Sequence, residues 1–136
     1  MEIVVAAEHT LDRDEIVDLY DSVGWTAYTA DVDQLMRALA GSHLVLTARD
    51  GTGALVGLAR TISDGESVCY VQDILVRPAA QRHGVGRALM DELRSVYGHC
   101  RMFLLTTDAD GDAGAFYRAS GLVPHAERGL IAYSRP

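Results

Sequence analysis

The residues whose types and spacing point most directly to chemistry run from Val71 to Met90. A strand-like stretch, Val71-Gln72-Asp73-Ile74-Leu75-Val76, leads into Arg77-Pro78-Ala79-Ala80. Gln81-Arg82-His83-Gly84-Val85-Gly86-Arg87-Ala88 then opens a helical pattern. A helix start leaves backbone N–H groups without intrahelical partners and carries partial positive charge. Glycines at 84 and 86 remove the side chains that would keep an anion from those groups. Three arginines (Arg77, Arg82, Arg87) and no acid lie between Ile74 and Met90, in a chain of net charge −7. A pyrophosphate is the anion such a turn best accommodates. A dinucleotide fingerprint would need a third glycine where Leu89 stands, and a nucleoside-triphosphate loop needs a lysine, which the chain lacks.

Other reactive side chains are few. Asp73 is the acid within the strand pattern, where it could bind an ammonium group and relay a proton through water. Strand alternation sets it on the face opposite Gln72 and Ile74 unless a bulge re-aims it. Tyr70 and Gln72 share that strand. Trp25 and Tyr28 lie in the short aromatic stretch Gly24-Trp25-Thr26-Ala27-Tyr28-Thr29, and their ring faces suit an aryl group or a cation. Cys69 and Cys100 form no CxxC pair, and the five histidines show no ligand spacing, so no metal site is expected.

These residues must be positioned by a mixed α/β sheet. Residues 2–7 read as a first strand. Asp12 with Glu15, and Asp31 with Gln34, have the spacing of helix starts. The first predicts a helix over 12–23, with Ile16, Leu19, Tyr20 and Val23 on one face. The second carries Leu35, Met36 and Leu39. Strands over 43–49 and 54–62 flank the turn Asp50-Gly51-Thr52-Gly53. A third covers 67–76. A helix over 84–98 buries Val85, Leu89, Leu93 and Val96. A strand over 101–107, a helix over 112–120 and terminal strands over 122–126 and 129–134 complete the order.

The 136 residues, nearly half apolar and under a quarter charged, suit one domain spanning 1–136. The acidic balance disfavours nucleic acid as a partner and suits a cationic small molecule. No stretch approaches the ~20 apolar residues of a membrane helix, and the start lacks a signal-peptide pattern. A cytoplasmic protein is expected.

The run Gln81-Arg82-His83-Gly84-Val85-Gly86 after an apolar strand and a proline resembles the coenzyme A signature of the GNAT N-acetyltransferases. Phe116-Tyr117-Arg118-Ala119-Ser120-Gly121-Leu122 is similar to that family's second conserved element. The Trp25–Tyr28 loop and small size look like a bacterial branch similar to small-amine acetyltransferases, including the plant arylalkylamine type.

The resemblance implies a GNAT fold: a mostly antiparallel sheet of six to seven strands, about four helices, and splayed central parallel strands. It implies acetyl-CoA as cosubstrate and a small-molecule amine as acceptor. Leu75 and Val76 would bond the pantetheine arm and the acetyl oxygen through their backbone. Gln81, Arg82, His83, Gly84, Val85, Gly86, Arg87 and Ala88 would wrap the pyrophosphate. Asp110 stands where the family often has a pantetheine-contacting asparagine, and Phe116 lies beside the cofactor. Tyr117 would be general acid. Asp73 is a candidate for handling the amine proton, since Gln72 replaces a glutamate common in relatives. Trp25, Tyr28, Tyr70 and Gln72 would line the acceptor site. The resemblance also implies a homodimer.

Overall fold

Asp12 and Asp31 start helices as their spacing predicts. In the computed structural model, which describes residues 1–136, the Asp12 carboxylate accepts from the Glu15 amide at 2.9 Å and that of Asp31 from the Gln34 amide at 3.0 Å. Each bond satisfies an amide that the first turn would otherwise leave unpaired. The helices are α1 (Arg13–Ser22) and α3 (Val32–Ala40). Between them the aromatic stretch, expected as loop, contains a single helical turn, α2 (Thr26–Thr29).

Five strands form one sheet in sequential order: β1 (Ile3–Ala7), β2 (Leu44–Asp50), β3 (Leu55–Ser63), β4 (Val68–Val76) and β5 (Met102–Leu104). All neighbours are antiparallel except β4 and β5, which are parallel. Asp50 fixes the β2–β3 turn by accepting from the amides of Thr52 and Ala54, and Gly53 supplies the positive φ of +85° that this turn requires.

The sheet separates two apolar cores. On one face α1 and α3 bury Ile16, Leu19, Tyr20, Leu35 and Leu39 against Leu55, Leu58 and Leu75. On the other, α4 (Val85–Val96) buries Val85, Leu89 and Leu93, with Tyr97 just beyond it, against Leu46, Ala59, Cys69 and Val71. Gly57 lets α4 approach β3: a Cβ there would stand 2.8 Å from Val85 Cγ1 and 3.3 Å from Leu89 Cδ1.

The chain falls into two compact units, Met1–Thr106 and Thr107–Pro136. The second holds α5 (Ala113–Ala119) and a 3₁₀ turn over His125–Arg128. Gly121 closes α5 at φ +87°, with the Leu122 amide donating to the Tyr117 carbonyl. The terminal strands expected over 122–126 and 129–134 do not form, so the sheet has five strands rather than six to seven. Pro124 has no N–H to give a ladder, and Gly129 in the left-handed region turns the Leu130 amide back onto the His125 carbonyl.

Candidate active site

The glycine turn is shaped for an anion. Arg82 takes φ +65° and Gly84 φ +82°, so the chain curls before α4 begins. Consecutive amides in such alternating conformations converge into an anion-binding concavity. The Ala88 amide makes the first bond of the helix, to the Gly84 carbonyl at 2.9 Å, which leaves the amides of Val85, Gly86 and Arg87 ahead of it. A Cβ placed on Gly84 would meet no atom within 4 Å, so the space before the turn is open. Gln81, Arg82, His83 and Arg87 are exposed around it. Arg77 is committed elsewhere, to Asp18 at 2.8 Å and the Leu55 carbonyl. The turn's positive charge therefore comes from Arg82 and Arg87, the latter also near Asp91 at 3.5 Å.

Beside the turn lies a gap in the sheet. The β4–β5 ladder pairs Val68 with Met102, Cys69 with Phe103 and Tyr70 with Leu104, then stops. From Val71 to Val76, β4 has no β5 partner. Where the ladder ends, the Tyr70 hydroxyl and Thr106 Oγ1 meet at 2.8 Å. The Arg77 amide donates to the Val56 carbonyl on β3. Alternation then turns the Leu75 amide toward β3 as well, and those of Ile74 and Val76 toward the gap. Of the expected pair, Val76 therefore has its amide toward the gap and Leu75 has its amide toward β3, while Ile74 has the second gap-facing amide. Gln81 Nε2 donates to the Val76 carbonyl at 3.1 Å, tying the glycine turn to the strand.

A bulge sets the residues on the helix α1 side. On β3, Arg60 pairs with Asp73 and the next residue, Thr61, pairs with Val71, so Gln72 is left over. Cys69 and Val71 belong to the α4 core. Past the bulge, Leu75 joins the α1 core and Asp73 meets Tyr20 of α1. Asp73 is buried. Its Oδ2 accepts from the Tyr20 hydroxyl at 2.9 Å and from Arg60 Nε at 2.5 Å, and its Oδ1 from the Tyr28 hydroxyl at 2.6 Å. Sequence reasoning missed Arg60 and Tyr20. The one charged residue in a largely apolar strand, thirteen positions before the acid it pairs with, was the available signal.

The half-buried Tyr28 also accepts from Gln72 Nε2 at 3.3 Å, and Arg60 lies 5.8 Å from its ring centroid. Trp25, Tyr28 and Tyr20 form an edge-packed cluster with centroids 5.2–6.2 Å apart. Burial, then the Asp73 carboxylate, pushes the Tyr20 and Tyr28 hydroxyls above the ordinary phenol value, so both stay protonated at neutral pH. Burial pushes the Cys69 thiol up to about 12, which rules out a thiolate at neutral pH.

In the second unit, the Phe116 and Tyr117 rings stack edge to face at 5.2 Å, and burial raises the Tyr117 hydroxyl above its ordinary value. Asp110 and Asp108 are exposed in the loop before α5. Arg118 pairs with Glu127, which fixes the 3₁₀ turn against α5. No group of three or more His, Cys, Asp or Glu is placed to hold a metal ion, and no helix is long and apolar enough to cross a membrane.

The open turn before α4 offers amides to an anion, and the edge of β4 from Val71 to Val76, left without a parallel neighbour, offers backbone groups to an extended arm. A family model described as the acetyltransferase (GNAT) family matches residues 10–122, and the chain belongs to that family. A GNAT-family acetyltransferase from Streptococcus pneumoniae superposes with a TM-score of 0.86 at 29% identity, covering 98% of this chain and 97% of that one. The chain is 32% identical over 106 residues to serotonin N-acetyltransferase 2, chloroplastic, of Oryza sativa subsp. japonica, covering 74% of this chain and 53% of that protein. It is 28% identical over 144 residues to histone acetyltransferase TAP1 of Glycine max, covering 97% of this chain and 62% of that protein. The protein is an acyltransferase that uses acetyl-CoA for N-acetylation. The cradle and the gap fit that donor: exposed amides and arginines for its diphosphate, free strand edge for its arm.

Proposed function

We propose that the chain transfers acetyl from acetyl-CoA to a primary amine of a small molecule, by direct attack. The observation that carries this reading is the Tyr28 hydroxyl bonded to Asp73 and Gln72 on the unpaired part of β4, with the Trp25 ring packed beside that of Tyr28. Exposed aromatic faces suit an arylalkylamine, whose ring they can pack against.

The amine attacks the thioester carbonyl as the neutral base, having given its proton to water or a side chain in the acceptor site. Negative charge grows on the carbonyl oxygen, and a gap-facing amide of β4 holds it. The carbon–sulfur bond then breaks. A thiolate whose thiol has a pKa near 8.5 leaves more readily if it is protonated as it departs. In this reading Tyr117 gives that proton; its role rests on the motif Phe116-Tyr117 and on a hydroxyl that burial keeps protonated. Cys69, fully buried and with its thiol pushed up by burial, takes no part in this direct transfer. We further propose that 1–136 is one cytoplasmic domain and, on family resemblance, that it pairs as a homodimer.

The TAP1 relationship favours a second reading, a protein lysine as acceptor. A panel of arylalkylamines, polyamines, amino acids, aminoglycosides and lysine peptides, assayed by release of the CoA thiol, separates the two. A small amine should be turned over with the highest kcat/KM. A lysine peptide at the top would contradict the proposal.

A further inference from the structure

Resting on that reading of the acceptor site, we infer that Asp73 is a positioning residue which locks the Tyr28 hydroxyl as a hydrogen-bond acceptor, so that the site selects a donor such as an amine and rejects an isostere that can only accept.

A phenol has one proton to give. That of Tyr28 goes to Asp73 Oδ1 at 2.6 Å, and Asp73 has no choice in the matter. Its other oxygen already takes Arg60 Nε and the Tyr20 hydroxyl, and a carboxylate beside a buried guanidinium acts only as acceptor. Arg60 is as buried as its partner, with side chains 7% and 2% exposed, so removing either charge would leave the other uncompensated. The direction of every bond in the chain Arg60–Asp73–Tyr28 is therefore fixed from the inside out.

What remains on Tyr28 toward the exposed side is an oxygen lone pair. Gln72 answers it by presenting its NH₂ at 3.3 Å. Gln72 is exposed and has no β3 partner, because the bulge at Arg60 leaves it out of register. Its amide occupies the position that an N–H donor of the acceptor molecule would take, and it is free to yield it. Burying a donor against this oxygen makes a bond. Burying an acceptor there sets two lone pairs against each other without compensation, the asymmetry by which a polar site rejects an analogue. Trp25, with its ring centroid 6.2 Å from that of Tyr28, gives the aryl portion of the ligand a face to lie on.

The test uses the single tryptophan as reporter. At pH 7, quenching of Trp25 emission is titrated with 2-phenylethylamine and with benzyl methyl ether, which has the same number of heavy atoms, an oxygen one bond nearer the ring that can only accept, and no donor. The wild-type protein should bind the amine at least tenfold more tightly than the ether. In Asp73→Asn, whose amide can donate to Tyr28, and in Tyr28→Phe, which keeps the Arg60–Asp73 pair, the preference should fall below threefold. Thermal unfolding establishes that each variant is folded. If Asp73→Asn does not fold, Tyr28→Phe decides alone. A wild-type preference retained in both variants would overturn the inference. Loss in Tyr28→Phe alone, with Asp73→Asn folded and unchanged, would overturn the part assigned to Asp73. A wild-type protein that binds neither probe would instead refute the acceptor-site placement on which the inference rests.

Discussion

Replacing Gly57 by alanine tests whether the phosphate-binding turn owes its position to how closely α4 lies on β3. The added Cβ would stand 2.8 Å from Val85 Cγ1, 3.2 Å from the Leu75 carbonyl oxygen and 3.3 Å from Leu89 Cδ1. Carbon atoms rest about 3.5–4.0 Å apart, so the first contact must open by roughly 0.7–1 Å. Little can give way locally. Val85 is β-branched and stiff, and both it and Leu89 are buried. The Leu75 carbonyl belongs to the sheet. The strain is relieved by lifting the first turn of α4, at a cost of about 1–3 kcal/mol typical of overpacking. For a domain of this size that is a fall in Tm of about 4–12 °C. Val85 and Gly86 are themselves part of the anion cradle, so the lift displaces the amides that receive the diphosphate. The KM for acetyl-CoA should rise about tenfold, since displacements near 1 Å carry effects of that order or more. Thermal unfolding and steady-state kinetics on the same preparation give both numbers. A variant with wild-type Tm and wild-type KM would refute the reasoning. A lowered Tm with unchanged KM would sever the link between this packing and the cradle.

Two further outcomes follow from the site and from the charge pairs around it. Tyr117→Phe should lower kcat by 10²–10⁴-fold, about the range for loss of a general acid, with little change in acetyl-CoA KM; equal losses in affinity and rate would make the residue a binding group. Arg49 bonds Glu8 at 2.9 Å and holds its carboxyl below the ordinary value of 4.5. A carboxyl lowered in the folded state adds stability above its unfolded value and loses it as pH falls through the folded one. The Tm advantage of wild type over Glu8→Gln, from a pair worth about 1 kcal/mol, should thus be full at pH 7 and narrow steadily below about pH 4.5. A gap unchanged down to pH 3 would refute it.

Much of this architecture was legible because local signals and packing agree. The Asp12 and Asp31 caps, the Asp50 turn and three members of the α4 stripe, Val85, Leu89 and Leu93, read correctly from spacing alone, but Val96, expected to be buried with them, is exposed, and Tyr97 just beyond the helix joins the core instead. The turn at Gly84 and the helix that follows it were legible for the same reason: both are set by local backbone. What escaped was set at a distance. The bulge that orients Asp73 depends on the register between β3 and β4, which neither strand reveals by itself. Arg60 and Tyr20 matter only because three separate elements bring them to one carboxylate. Alternation along β4 was readable, but which amides face the gap required knowing that Arg77 bonds back to Val56. The runs 122–126 and 129–134 were expected as strands, and Pro124 with Gly129 in the left-handed region decided otherwise.

The central claim is that the turn from Gln81 to Ala88 grips the donor's diphosphate. Calorimetric titration of acetyl-CoA into wild type, Gly84→Ala and Gly84→Glu addresses it most directly. Both variants carry the strain of a side chain at φ +82°, but only the second sets a carboxylate in the open space before the amides. Wild type should bind one equivalent, the alanine variant should bind more weakly, and the folded glutamate variant should give no heat. Absence of wild-type binding, or a glutamate variant that binds as tightly as wild type, would contradict the account.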